Sequence, residues 1–479
     1  MDKHIVARGT IYLMATQFVI LLSGYLLHIS LAHLVSAAVY GNIGIILSII
    51  MITKTLFLTG TTKAISKYVS EQKESFPAVL RSGFRLQLLS IFLCMMLYFI
   101  FAGFLAEKLH DHSLAWPIRL SSLVVLSVGI YVVYSDGYLN GRRLFNEQAL
   151  AEAIHSVARF LLAIVLVYFG FSLYGVVFAY IVAPLSALLF VWKSIGLERS
   201  EETFPLMTLL KFSLPITIYY GALMLAMDAG LFLIKSRLDD VTLPGYYTAA
   251  GILAKIAFSL LSALPLTLLP SVSKAVAENN LSLVKKYVSA SLRYSLMLLV
   301  PLSVLIYGYA EQVLTLFYPN EFAVAGNALR LLIIGYGFFA LFFLLSSVLS
   351  GAGHHVFAMM AALASLSTAF ISGLIFIPRY GLEGAAIATL FAGLIGFITC
   401  LIRTVSILDV SGKFFPWRSF IHIILAAIPL FTLIRLLPVE GMGFLIYSVL
   451  LSILYLLLLW LMQEFNVEDR KLFYFWRRG

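Results

Sequence analysis

Charge and cysteine are what this sequence has least of. Only 12% of its 479 residues are Asp, Glu, Lys or Arg, and its two cysteines are Cys94 and Cys400. So few ionic side chains cannot cover a 53 kDa particle in water, which excludes a soluble fold. Two cysteines in separate apolar runs make neither a disulfide framework nor a thiolate metal site, and no metal is expected. Long polar segments are missing as well, so no sizeable extramembrane domain fits. No Gly-rich phosphate loop, paired-carboxylate constellation or nucleophilic triad falls in a common site outside the apolar runs. The chain is therefore not read as an enzyme, and no cofactor is expected.

What is present is apolar surface: 61% of the residues are hydrophobic and the mean hydropathy is +0.99. A membrane helix needs about 20 apolar residues to cross a hydrocarbon core about 30 Å thick. Apolar runs at 11–32, 38–60, 84–106, 117–139, 148–169, 172–192, 211–234, 246–268, 291–310, 329–350, 355–377, 382–402, 420–437 and 442–462 predict an all-α polytopic membrane protein of about 14 helices. The fifth and sixth runs, and the eleventh and twelfth, are parted only by short glycine-containing turns, GFSLYG at 170–175 and PRYGLEG at 378–384.

Basic residues orient these spans, because cytoplasmic connections hold the excess of Lys and Arg. With the N-terminus inside, 23 of the 33 basic residues fall on the cytoplasmic side and seven on the other. That bias predicts an inner (cytoplasmic) membrane protein with both termini cytoplasmic. The net charge of +10 then faces anionic lipid headgroups, as does the basic, aromatic tail DRKLFYFWRRG at 469–479, and nucleic acid is not needed to explain it.

The chain also repeats itself. YGNIGIILSIIMITKTLFLTGTTKAISKYVSE at 40–71 matches YTAAGILAKIAFSLLSALPLTLLPSVSKAVAE at 247–278 at a constant offset of 207, pairing Tyr40 with Tyr247, Gly44 with Gly251 and Lys67 with Lys274. LNG at 139–141 corresponds to LSG at 349–351, and LYG at 173–175 to LEG at 382–384. Six spans separate the copies, an even number, so both insert in the same sense about an axis along the membrane normal. The expected organisation is two pseudo-symmetric six-helix bundles, 1–205 and 206–410, followed by two additional helices and a basic tail at 411–479. Equivalent bundles that rock against each other suit alternating access, and no carbonyl selectivity filter is visible.

Three basic residues remain inside the spans: Lys54, Arg159 and Lys255. Charged side chains at that depth usually face a bundle interior or a wet cavity. Lys255 sits about nine residues, or ~14 Å, into the eighth span, on a stripe with Gly251, Ser259 and Ser262. Arg159 shares a face of the fifth span with His155 and Glu152, which reads either as an anion-binding surface or as a helix-stapling network. Lys54 is closer to its span end, where its stem can snorkel. Asp228 lies on the stripe Ser213, Thr217, Tyr220, Met224 of the seventh span and is a candidate to couple transport to H+ or Na+, or to pair with a buried cation. Asp136 is placed at the cytoplasmic boundary, before the NGRR turn. Pro265 and Pro270 are the expected bend of the eighth span.

The second span running into GTTKAISKYVSE (60–71), its counterpart LPSVSKAVAE (269–278), LNGRRLFNEQALAEAIHSVARFLLAIVLVYFG (139–170) and PRYGLEGAAIATLFAG (378–393) resemble the O-antigen-type polysaccharide-export flippases of the multidrug/oligosaccharidyl-lipid/polysaccharide exporter superfamily. The resemblance covers residues 1–462. It implies a flippase that moves an oligosaccharide carried on polyprenyl pyrophosphate across the cytoplasmic membrane, with polysaccharide polymerase or glycosyltransferase machinery as partners. Arg159, Lys255, Lys54 and His155 are then the cavity residues for the anionic headgroup, and Asp228 the coupling group. Lipid II-type flippases are the nearest competing family, weakened here because Arg8 is the only Arg before residue 81. The same apolar, duplicated chain is also compatible with a multidrug cation antiporter and, in a different functional class, with a membrane scaffold.

Overall fold

A computed structural model describes residues 3–71, 76–192, 203–407, 415–437 and 441–465. The tail at 469–479 and the loop residues Lys193, Arg199 and Lys413 lie outside the described residues. All regular structure among the described residues is helical. In chain order the membrane helices are α1 (Lys3–Leu34), α2 (Ala37–Glu71), α3 (Phe76–Lys108), α4 (His112–Leu139), α5 (Phe145–Leu166), α6 (Ser172–Val191), α7 (Leu206–Arg237), α8 (Leu243–Ala277), α9 (Leu281–Gly308), α10 (Asn320–Gly351), α11 (His355–Ile407), α12 (Trp417–Leu436) and α13 (Gly443–Leu461).

Twelve helical segments among the described residues are long and apolar enough to cross a membrane. Fourteen separate spans are not found in that form, because α5 runs into α6 as one segment of 47 residues and α11 is a single segment of 53. A straight helix of 47 residues would be ~70 Å long, twice what a bilayer accommodates. Both segments instead turn back on themselves. Gly170 has φ 91 and Gly381 has φ 54, the left-handed region that a Cβ disfavours. Nothing lies within 4 Å of where a Cβ would stand at either glycine, so conformation and not space demands them. Beyond the turns α5 packs on α6, and within α11 the Ser365 hydroxyl donates to the Ala392 carbonyl at 2.8 Å.

The helices form two compact units, one comprising Met1–Ile252 with Ile377–Gly381, the other Leu253–Phe376 with Leu382–Gly479. In the first unit α2 and α4 are mostly buried, while α3 turns most of its apolar residues outward, as a helix in lipid does. Thr16 of α1 donates to the Ala149 carbonyl of α5 at 3.1 Å. In the second unit α10 is the buried centre, with α8 and α9 against it. There α12 lies against α9, and His422 Nδ1 meets Glu464 Oε1 at 2.6 Å, tying α12 to the chain just past α13.

The internal repeat has a geometric counterpart within each unit. A Cβ on Gly141 would stand 2.8 Å from the Val69 Cβ of α2 and 2.9 Å from the Ser66 carbonyl. Gly351, its partner in the repeat, is as tightly set against α8, 2.8 Å from the Leu269 carbonyl and 3.2 Å from the Val272 Cβ. The same glycine thus lets the same helix pair close up twice, as small residues do where helices meet in lipid.

The eighth helix departs from expectation. It is interrupted at Lys255 and again at Ser262, giving the pieces Leu243–Ala254, Ile256–Leu261 and Ala263–Ala277. Pro265 explains the second break: it has no N–H for the Leu261 carbonyl and its ring crowds that turn. The Ser262 hydroxyl donates to the Ser259 carbonyl at 2.8 Å. Lys255 and Ser262 keep right-handed helical backbone angles at the two interruptions, and Pro270 sits inside the last piece.

Candidate functional site

One face of α5 in the first unit gathers charged and polar side chains. On α5 the residues Gln148, Glu152, His155 and Arg159 recur at steps of four, three and four, which sets them on one face. The Arg159 guanidinium lies over the Tyr180 ring of α6, 5.2 Å from its centroid, and the His155 ring is 5.1 Å from that of Tyr131 on α4. The charges of Arg159 and Lys54 act directly on His155. Those of Asp136, Lys54 and Lys63 act on Glu152. Lys54, His155 and Arg159 thus share one electrostatic neighbourhood with Glu152 and Asp136.

Local backbone irregularity brings the members of the cluster into register. Immediately after Lys54, residues Thr55–Thr59 form a π-helical turn, and Val133–Leu139, which contains Asp136, form another. Threonines favour this in α2: Thr53, Thr55 and Thr62 donate their hydroxyls back to the carbonyls of Ile49, Met51 and Leu58 at 2.6, 2.8 and 3.1 Å. Such bonds compete with the helical ladder and bend it. Each wide turn shifts the helical phase, and π-turns recur where side chains must converge on a site.

A relay of side chains orients Glu152. Ser66 Oγ donates to Asn140 Oδ1 at 2.8 Å, Asn140 Nδ2 to Gln148 Oε1 at 3.0 Å, and Gln148 Nε2 to Glu152 Oε1 at 2.8 Å. The relay depends on the close packing at Gly141, which carries Asn140 up to Ser66. The Arg159 Nε is buried with no hydrogen-bond acceptor among the described residues. The Nε atoms of Arg119, Arg293 and Arg403 are in the same state, and what sets Arg159 apart is the nearby charge of Lys54 on the same His155.

The remaining candidates lie elsewhere. Lys255 belongs to the second unit, at the first break of α8, with its ammonium 5.9 Å from the centroid of the Tyr336 ring. Asp228 is half-buried on α7 in the first unit, on a stripe whose other end, Ser213 and Thr217, packs on Gly60 of α2. Glu152, Asp136 and Lys63 take a larger part in the cluster than their sequence positions suggested. The face of Glu152 was legible from helical spacing, whereas Asp136 and Lys63 lie in or past π-turns that hydropathy does not register. Among the described residues no three His, Cys, Asp or Glu side chains are grouped to hold a metal ion.

Residues 30–326 match the family described as polysaccharide biosynthesis protein. The chain belongs to this family. Among relatives of this polysaccharide biosynthesis protein, an uncharacterised membrane protein of Methanocaldococcus jannaschii is 24% identical over 417 residues, 82% of this chain and 96% of its own. An uncharacterised membrane protein of Bacillus subtilis is 27% identical over 147 residues, 31% of this chain and 27% of its own. In three dimensions the chain is similar to the lipid II flippase MurJ in an inward closed conformation, with TM-score 0.74 and 17% identity, over 94% of this chain and 98% of that one. It is also similar to an inward-facing multidrug resistance MATE transporter of the MOP superfamily, with TM-score 0.66 and 17% identity, over 83% of this chain and 96% of the other. A MOP superfamily transporter from Pyrococcus furiosus, described as having a binding pocket of reverse polarity, aligns with TM-score 0.64 and 18% identity over 85% and 96% of the two chains. This member of the polysaccharide biosynthesis family is thus a multi-pass membrane protein with the fold of flippases and transporters of the MOP superfamily.

Proposed function

We propose that the protein is a flippase that moves a polyprenyl-pyrophosphate-linked oligosaccharide across the cytoplasmic membrane by alternating access. The observation that carries this reading is the interior cluster of Lys54, His155 and Arg159, in which a buried guanidinium donor has no acceptor among the described residues. A pyrophosphate supplies several strong acceptors and negative charge, the complement of that cluster. Cationic drugs would meet repulsion there. The Tyr180 ring lies over the Arg159 guanidinium, which holds that side chain without neutralising it.

In this scheme the termini are cytoplasmic, Lys255 supplies a further cation, and Asp228 is the proposed coupling group for H+ or Na+. Partners are the enzymes that build and polymerise the lipid-linked glycan. The likeness to the lipid II flippase favours a second reading, in which the cargo is a cell-wall precursor on the same lipid pyrophosphate.

Reconstitution tests the reading. Purified protein in liposomes is given a fluorescent lipid-linked oligosaccharide, lipid II, or a cationic dye, with and without an imposed proton or sodium gradient. Leaflet transfer of the oligosaccharide in excess of the other two is expected. Preferential transfer of lipid II moves the assignment to the second reading, and export of the dye alone rejects both.

A further inference from the structure

Far from the cationic cluster, at the other end of α2, three segments distant in sequence close a polar triangle. Lys235 Nζ, on the last turn of α7, donates to Asp111 Oδ2 at 2.9 Å and to Asn42 Oδ1 at 3.0 Å. Asn42 Nδ2 donates to the same Asp111 oxygen at 3.1 Å. The other carboxylate oxygen of Asp111 caps the start of α4, accepting from the Ser113 N–H at 3.1 Å and its hydroxyl at 2.5 Å. A lysine near the end of a membrane helix would ordinarily reach toward water along its own stem. Lys235 is instead turned inward and only 6% exposed.

Just below the triangle α2 lies directly against the beginning of α8. A Cβ on Gly41 would stand 2.6 Å from the Gly245 nitrogen, one on Gly44 would collide with the Thr248 hydroxyl, and one on Gly245 with the Ala37 carbonyl. By the internal repeat, α7 and α8 open the second half of the chain. Yet the compact first unit extends to Ile252 and includes all of α7 and this part of α8. The triangle and the glycine seam are what hold them to α2 at this end.

A buried ion pair is seldom a better permanent staple than apolar residues of the same size. Its distinctive property is that, once separated, both partners return to water, and these lie at helix ends where water is near. We propose that Asn42, Asp111 and Lys235 form a latch that closes this end of the first unit in the present state and opens for α7 and the start of α8 to part from α2. The proposal rests on the alternating-access reading above.

The test follows accessibility and requires no cargo. In a background with Cys94→Ala and Cys400→Ala, Thr248→Cys places a thiol in the seam beneath the latch, where Thr248 is 7% exposed. Its reaction with a membrane-impermeant maleimide is timed in right-side-out and inverted vesicles. Slow labelling is expected with the latch intact. Lys235→Gln, Asp111→Asn and the two combined are expected to speed labelling at least about fivefold from the side opposite the basic loops, because unpaired partners rehydrate. Lys235→Arg, which keeps the charge, should stay slow. Asn42→Ala, which leaves both charges paired, serves as the variant safest for folding and should accelerate labelling by about twofold, in line with loss of one neutral hydrogen bond. Unchanged labelling in variants with native thermal unfolding overturns the latch, as does fast labelling of the seam before any latch residue is altered. Altered labelling without transfer of lipid-linked glycan leaves the latch standing and removes the proposed cargo.

Discussion

Gln148 and Glu152 stand one helical turn apart on α5, joined by a 2.8 Å hydrogen bond from the Gln148 amide to the Glu152 carboxylate. That bond holds an acidic group beside the side chains assigned to an anionic cargo. Glu152→Gln keeps a side chain able to accept it and removes the charge. Weaker repulsion of the headgroup should tighten its binding and slow its release, so KM and kcat should both fall, each by about threefold to tenfold. Initial transfer rates across a range of lipid-linked oligosaccharide concentrations measure this. A raised KM would contradict a charge-balancing role for Glu152.

Arg159 is expected to be more sensitive than its volume suggests. Arg159→Gln should reduce the initial transfer rate about tenfold or more, equivalent to ~1.4 kcal/mol, with membrane insertion unchanged. Arg159→Lys should recover only part of it, since an ammonium lacks the planar fork that lies over Tyr180. Equal rates for Lys and Arg would mean that charge alone matters. Native rates for Gln in folded protein would remove Arg159 from the pathway.

The paired glycines predict opposite effects at positions of the same residue type. Gly141→Val and Gly351→Val push a side chain into Val69 and Val272 respectively and should each cost about 1–3 kcal/mol. Gly337, also on a helix, has nothing within 4 Å of its missing Cβ, and Gly337→Ala should leave stability unchanged or raise it by up to about 1 kcal/mol. Thermal unfolding in detergent distinguishes them. Similar losses at all three sites would contradict close packing at Gly141 and Gly351 as the source of the cost.

Asp111 makes stability depend on acid. Burial opposes its ionisation, but the donors from Ser113, Lys235 and Asn42 outweigh that and hold its carboxyl below the ordinary value of 3.8. A carboxyl lowered by folding contributes fully above its unfolded value and loses that contribution as pH falls through the folded one. Asp111→Asn should therefore lower the unfolding temperature at pH 5 to 8, and the gap from the unaltered protein should narrow below about pH 4. A gap that stays constant down to about pH 2.5 would show that the Asp111 charge makes no such contribution.

Much of this molecule is legible from residue order. The helical spacing of Glu152, His155 and Arg159 predicts their common face, and the repeat of LNG at 139–141 and LSG at 349–351 marks two glycines that make equivalent contacts. Other features are hidden for identifiable reasons. The π-turns after Lys54 and around Asp136 change the phase of a helix without changing its hydropathy. Pro265 announces a bend, but the break falls at Ser262 because the disturbed carbonyl lies four residues earlier. Nothing near Lys235 in sequence points to Asp111, 124 positions away.

By itself the sequence determined a helical membrane protein with a duplicated core and a handful of deep charges, because hydrocarbon forces every backbone polar group into internal pairing and leaves few places for ions. Only the tertiary structure decided which charges meet. Lys54 shares a cluster with Arg159, Lys255 sits over Tyr336 in the other unit, and Lys235 is locked to Asp111 and Asn42. The partners come from helices far apart in the chain, and their distances depend on where glycines let helices close up and where π-turns and proline shift the phase.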